Sequence, residues 1–126
     1  MRVDFKHQSQ ADRHLKTCKR ILAENLVTLA EDAHLPSQRI RNSFCKGFGF
    51  SSYTELSSIV KQTGREYHPP SPDDLLTRMH RGFTLALCEA KEHGFTHHEP
   101  TNDNLARRLA EQALKELQAW KPVSIP

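Results

Sequence analysis

The punctuation of this chain constrains its fold most. Hydroxyl and amide side chains recur just ahead of apolar stripes spaced three and four residues apart, and glycines or prolines follow where the stripes stop. That pattern specifies helices rather than strands. Ser9 with Asp12 reads as a helix start, followed by Leu15, Cys18, Leu22 and Leu26 at helical spacing. Thr28 with Glu31 reads as a second start, with Leu29, Ala30 and Ala33 facing inward. No Gly or Pro lies between Ser9 and Leu35, so one long helix through Ala33 is the alternative. Pro36 or Ser37 opens the next helix, with Ile40 and Phe44 one turn apart on its inner side, and Gly47 and Gly49 end it. Ser52 with Glu55 starts another, whose stripe of Tyr53, Leu56, Ile59 and Val60 stops at Gly64.

Residues 65–72, REYHPPSP, disfavour helix and form a semi-rigid connector. Its prolines are also a peptide-domain ligand in composition, though a linker is the simpler reading. Ser71-Pro72-Asp73-Asp74 then supplies a cap, a first-turn proline and two acids at the positive end of a helix dipole. Leu75, Met79, Phe83, Ala86 and Ala90 follow, and Gly94 ends that helix. Thr101 or Asn102 caps the last one, with Leu105, Leu109, Ala113, Leu117 and Trp120 inside and Lys121-Pro122 as the stop. The expected fold is all-α: a five- or six-helix bundle with a helix-turn-helix-like lobe over 1–64, a Pro-rich connector over 65–72 and an antiparallel helical hairpin over 73–126. Leu22, Leu26, Leu29, Ile40, Phe44, Leu56 and Ile59 should form the core of the first lobe. The hairpin should pack against that lobe or against a second copy.

The 126 residues, 37% hydrophobic and 26% charged, are enough for one domain with a core that needs no disulfide or metal. No apolar run approaches the ~20 residues of a membrane span, and MRVDFKHQSQ lacks the apolar centre of a signal peptide, so a cytoplasmic protein with no membrane partner is expected. Cys18, Cys45 and Cys88, odd in number and far apart, read as free thiols. Charge is uneven: residues 1–65 carry a net +5 and residues 66–126 a net −2. A basic front half suits an anionic partner.

The stretch Thr28–Leu56 fits a helix-turn-helix template, which asks for a small residue, a turn residue four positions on and a branched apolar residue six beyond that. Ala30, His34 and Ile40 occupy those places. Leu29-Ala30-Glu31, Ala33-His34-Leu35, Phe44-Cys45-Lys46 and Gly49-Phe50-Ser51 stand in register with the corresponding features of AraC-type transcription regulators, which the stretch resembles over about 28 residues. The resemblance implies DNA binding, with Gln38, Arg39, Arg41 and Asn42 facing a groove. Their chemistry suits that role, since Arg grips a guanine edge with two donors and Gln or Asn pairs with adenine. Lys46, Lys19 and Arg20 would contact phosphates. The bland reading of the same residues is a solvated helix face. The partners expected are therefore DNA or, alternatively, the acidic face of a protein bound by a helical interaction module such as a small inhibitor or adaptor, with a homodimer through the hairpin.

Other constellations are weaker. Cys88, His93, His97 and His98 are close in sequence, but match no zinc module, and helix-end histidines ordinarily partner the negative dipole end. No nucleophile and base stand at a spacing that fixes a catalytic site, so no catalytic residue, metal ligand or cofactor is assigned. Phe48, Phe50 and Tyr53 are expected to pack in the core.

Overall fold

A computed structural model describes residues 2–96 and 102–120. Among them are five helices and one two-stranded ribbon: α1 (Gln8–Glu24), β1 (Val27–Thr28), α2 (Ser37–Gly47), α3 (Tyr53–Val60), α4 (Pro72–Glu92), β2 (Phe95–Thr96) and α5 (Asn102–Ala119). The fold is all-α, and no helix of the described residues is long and apolar enough to cross a membrane.

Most helices start where their caps predict. The Ser52 side chain accepts from Glu55 N–H, and Ser71 accepts from Asp74 N–H ahead of Pro72 and the acidic pair. The Glu55 carboxylate turns back to accept from Ser51 N–H at 3.2 Å and from the Ser51 hydroxyl at 2.8 Å, bonds that hold its pKa below the ordinary value. α1 begins slightly earlier than Ser9 implies, because His7 is the cap and its Nδ1 accepts from Gln10 N–H at 3.2 Å.

The helix expected from Thr28 does not form, and neither does the long alternative through Ala33. α1 ends at Glu24, where the Asn25 side chain donates to Ile21 O at 2.8 Å and its backbone N–H to Leu22 O at 3.1 Å. Val27 and Thr28 are instead extended, pairing antiparallel with Thr96 and Phe95, and Leu29 N–H donates to Gly94 O. Residues 29–36 form no helix, so α2 has no helix at turn distance before it. Leu29, expected in the core, is 71% exposed. Two β-branched residues following an Asn-capped helix were available to pair with a strand about seventy residues on, and that pairing displaced a short helix of marginal intrinsic stability.

One hydrophobic cluster runs from Val3 to Ala113, so the connector does not separate two cores. Leu22, Ile40, Phe44 and Leu56 are fully buried as expected, while Leu26 and Ile59 pack partly buried at its margin. α2 is the centre. It packs most extensively on α4, with the Phe44 and Phe83 rings edge to face at 4.9 Å. α5 packs on α4 and on α1, burying Leu105, Ala106, Leu109, Ala110 and Ala113 within the chain. The apolar stripe that a dimer through residues 73–126 would use is thus already covered. A tight antiparallel hairpin would set Arg107 against the last turns of α4, yet Arg107 shares a cleft with Asp73, Leu76, Thr77 and His80 in its first half. The two helices pack on one another, with the start of α5 beside the first half of α4 rather than its last turns.

At the α2–α4 crossing the backbones touch. A Cβ on Gly47 would stand 2.5 Å from Gly82 Cα and 2.8 Å from Arg78 O. Gly47→Ala must push the helices apart at their most buried point and should destabilise the protein by ~1–3 kcal/mol, the usual range for overpacking; urea denaturation measures this. A second expectation concerns pH. The His14 ring is buried edge-on to Phe5 and Phe48, and burial lowers its pKa below 6.5, only partly offset by its bond to Gln10 O. The unfolded chain therefore takes up a proton that the folded one resists. Its contribution to stability is complete above about pH 6.5 and declines as pH falls below that value. His14→Leu should flatten that slope in denaturation curves compared at about pH 5.5 and 7.5.

Candidate anion-binding cleft

The residues singled out on α2 do not form one free face. Arg41 lies flat over the Tyr53 ring, 3.9 Å from its centroid, with its Nε buried and without a hydrogen-bond partner among the described residues. Asn42 Oδ1 accepts from Tyr53 N–H at 3.0 Å and so helps start α3. The Tyr53 hydroxyl donates to Asp12 at 2.8 Å, and Gln8 donates to the same carboxylate at 3.0 Å. Arg41 and Asn42 thus take part in a polar seam that joins α1, α2 and α3.

Lys19 donates to the Ser37 hydroxyl at 2.6 Å, pinning α1 to the start of α2. Arg20 bridges Glu24 on its own helix and Glu116 on α5, at 3.1 and 2.5 Å. Neither belongs with Lys46. Gln38 and Arg39 are exposed, and Arg39 lies 4.0 Å from Glu89 of α4. A recognition helix must enter a groove about 12 Å wide with a free face. α2 instead buries Ile40, Ser43, Phe44, Cys45 and Gly47, leaving only a narrow outer strip.

That strip has a neighbour. Arg78 and Arg81, one turn apart on α4, face Lys46 across the helix crossing. With Arg2, Gly49, Phe50, Ser51 and Leu85 they line a cleft of about 610 Å³. Four cations and no carboxylate line it, with Glu55, paired to Arg2 and bonded to Ser51, just outside the lining. Each is placed by a distinct local cause. The Gly47–Gly82 contact draws the two helices close enough for Lys46 and Arg81 to share a groove. Gly49, at φ 101°, ends α2 in the left-handed conformation and turns the chain into the cleft wall, with Phe50 N–H bonded to Cys45 O. Arg2 is held by the extended N-terminal segment that leads into α1. Val3 N–H donates to Phe48 O at 2.8 Å, Asp4 pairs with Arg65 and accepts from His68 N–H, and Arg65 also donates to Phe5 O. Arg2 itself lies 5.6 Å from the Phe50 ring centre and 3.4 Å from Glu55. Lys46, Arg78 and Arg81 form no ion pair among the described residues.

Lys46 was legible as a basic residue; Arg2, Arg78 and Arg81 were missed. The i, i+3 pairing of Arg78 and Arg81 was the available signal, but it falls in the acidic half of the chain, and Arg2 precedes every recognised element.

No metal-ligating group of three or more His, Cys, Asp or Glu occurs among the described residues. His97 and His98 lie outside them. His93 is occupied through Nδ1 with Glu89 O at 2.9 Å. Cys18 and Cys45 are buried, and burial raises both thiols, that of Cys45 to about 12. No protein family model, curated protein or solved structure matches the chain.

Cys88, exposed on α4, should be the cysteine that reacts with an aromatic disulfide reagent in the native protein. Cys18 and Cys45 should react only on unfolding, since the thiolate is the nucleophile. Absorbance titration with and without denaturant separates the two classes.

Proposed function

We propose that the protein binds nucleic acid by its phosphate backbone, through the cleft between α2 and α4. The single observation that carries this reading is the convergence of Arg2, Lys46, Arg78 and Arg81 on a cavity lined by no carboxylate. Charges of one sign held close by packing repel one another, and an anion relieves that repulsion. Spaced along a groove, they match the repeating charge of a nucleic-acid strand better than a lone small anion.

The groove-reading role implied for α2 gives way to backbone contact. Of the residues proposed from sequence, Lys46 stays at the centre and Arg39 extends the strip. Arg41 and Asn42 act in the fold, and Lys19 and Arg20 hold α1 to its neighbours. Binding of this kind positions a strand without specifying its bases.

Fluorescence anisotropy with labelled oligonucleotides tests this. Affinity should fall steeply with salt, as neutralised phosphates release counterions. Arg78→Ala and Arg81→Ala should each lower the slope of log K against log salt by about 0.7 to 0.9. Arg41→Ala should leave that slope unchanged while lowering stability. An absence of binding at micromolar protein in low salt would sink the reading and leave an acidic protein surface as the better partner for the same cations.

A further inference from the structure

A second cavity, of about 450 Å³, adjoins the basic cleft, and the two meet at Arg2 and Arg78, which line both. Its character differs. Val3, Pro69 and Pro70 give it apolar walls, His68 adds an exposed imidazole 3.6 Å from Glu66, and Asp4 and Asp74 contribute carboxylates, that of Asp4 already engaged by Arg65 and the His68 N–H. Its size falls in the ~300–1,000 Å³ range of small-molecule sites. The connector that builds it is held in place: Asp4 accepts from His68 N–H at 2.6 Å and pairs with Arg65, and the prolines stiffen what lies between Arg65 and α4.

We infer that this pocket takes an unpaired nucleobase, so that the two cavities together bind single-stranded nucleic acid, base in the proline pocket and phosphates in the basic cleft. The inference rests on the nucleic-acid reading above and sharpens it. A base is flat and apolar on its faces and polar at its edge. The pocket answers each part: the Pro69 and Pro70 rings, with the exposed His68 imidazole beside them, for the faces, and the Asp74 carboxylate as acceptor for an exocyclic amino group. Arg2 and Arg78 stand at the junction, where the phosphate next to that base must lie. A base paired in a duplex has its edge occupied and its faces stacked, so it cannot enter. The same chemistry fits a free mononucleotide, but Lys46 and Arg81 extend the positive charge past the junction, where only a polymer has further phosphates.

The test compares four probes on the intact protein by anisotropy or competition. They are an adenine-containing DNA single strand, an abasic strand of equal length, the corresponding duplex, and adenosine monophosphate. The base-containing strand should bind about tenfold tighter than the abasic one, in line with a single stacked base. His68→Ala with Pro69→Ala should erase that difference and leave abasic binding unchanged, since both side chains are exposed and the backbone bond of residue 68 is retained. Lys46→Ala should weaken both strands alike. Equal affinity for base-containing and abasic strands, tighter binding of the duplex, or a base preference that survives the double substitution would overturn the inference. In those cases backbone binding still stands. Adenosine monophosphate matching the oligomer would overturn the polymer as ligand. If no strand binds at all, it is the nucleic-acid reading itself that fails.

Discussion

The contact between Gly47 and Gly82 is the constraint on which the rest of the molecule depends. With no side chain on either residue, α2 and α4 approach until the place for a Cβ on one is filled by the backbone of the other. Phe44 and Phe83 then meet edge to face, Ile40 is sealed, and α4 offers its far side to α5. The same contact brings Lys46 beside Arg78 and Arg81. A larger residue at Gly47 would force the helices apart and widen the cleft, while one at Gly82 would press on the Phe44 ring. Packing and the candidate site are consequences of one close approach.

Charge is arranged by the fold rather than by the segment. The basic first half of the chain uses many of its cations internally: Arg41 on Tyr53, Arg65 on Asp4, Arg20 on Glu24 and Glu116, and Arg13 over the Trp120 ring at 3.4 Å. The acidic second half supplies two of the four cations that line the cleft. A guanidinium that stacks or pairs is satisfied where it stands and has less to offer a ligand. Arg78 and Arg81 are held instead on a long helix whose opposite face, Leu75, Met79 and Phe83, is fixed in the core. Their registration leaves Arg81 exposed and Arg78 half-buried beside the cleft.

What could be read from the chain follows the range of the forces involved. α3 and α4 were legible because their caps bond within three residues and their stripes repeat every turn. Residues 28–36 misled for the opposite reason. The capping pattern of Thr28 and Glu31 was present, but the Val27–Thr28 pairing with Phe95–Thr96 took the backbone, and the packing of Ala30 and Ala33 against Gly94 completes that junction. Of the residues assigned to a site, only Lys46 reached the cleft, because exposure on an isolated helix does not reveal which neighbour will use the side chain.

The sequence by itself determined the helical class, most of the helix boundaries and most of the residues that face inward, Leu29 and Trp120 excepted, since each depends on local hydrogen bonding and periodic burial. Tertiary structure alone decided that α2 would be the central helix rather than a surface one. It also decided that Arg41 and Asn42 would hold α3 while Arg2, Arg78 and Arg81 joined Lys46. Those outcomes depend on contacts between different elements, eleven positions apart for Asn42 and Tyr53 and thirty-five for Gly47 and Gly82, whose partners are fixed only when the glycine crossing, the N-terminal segment and the small ribbon form together.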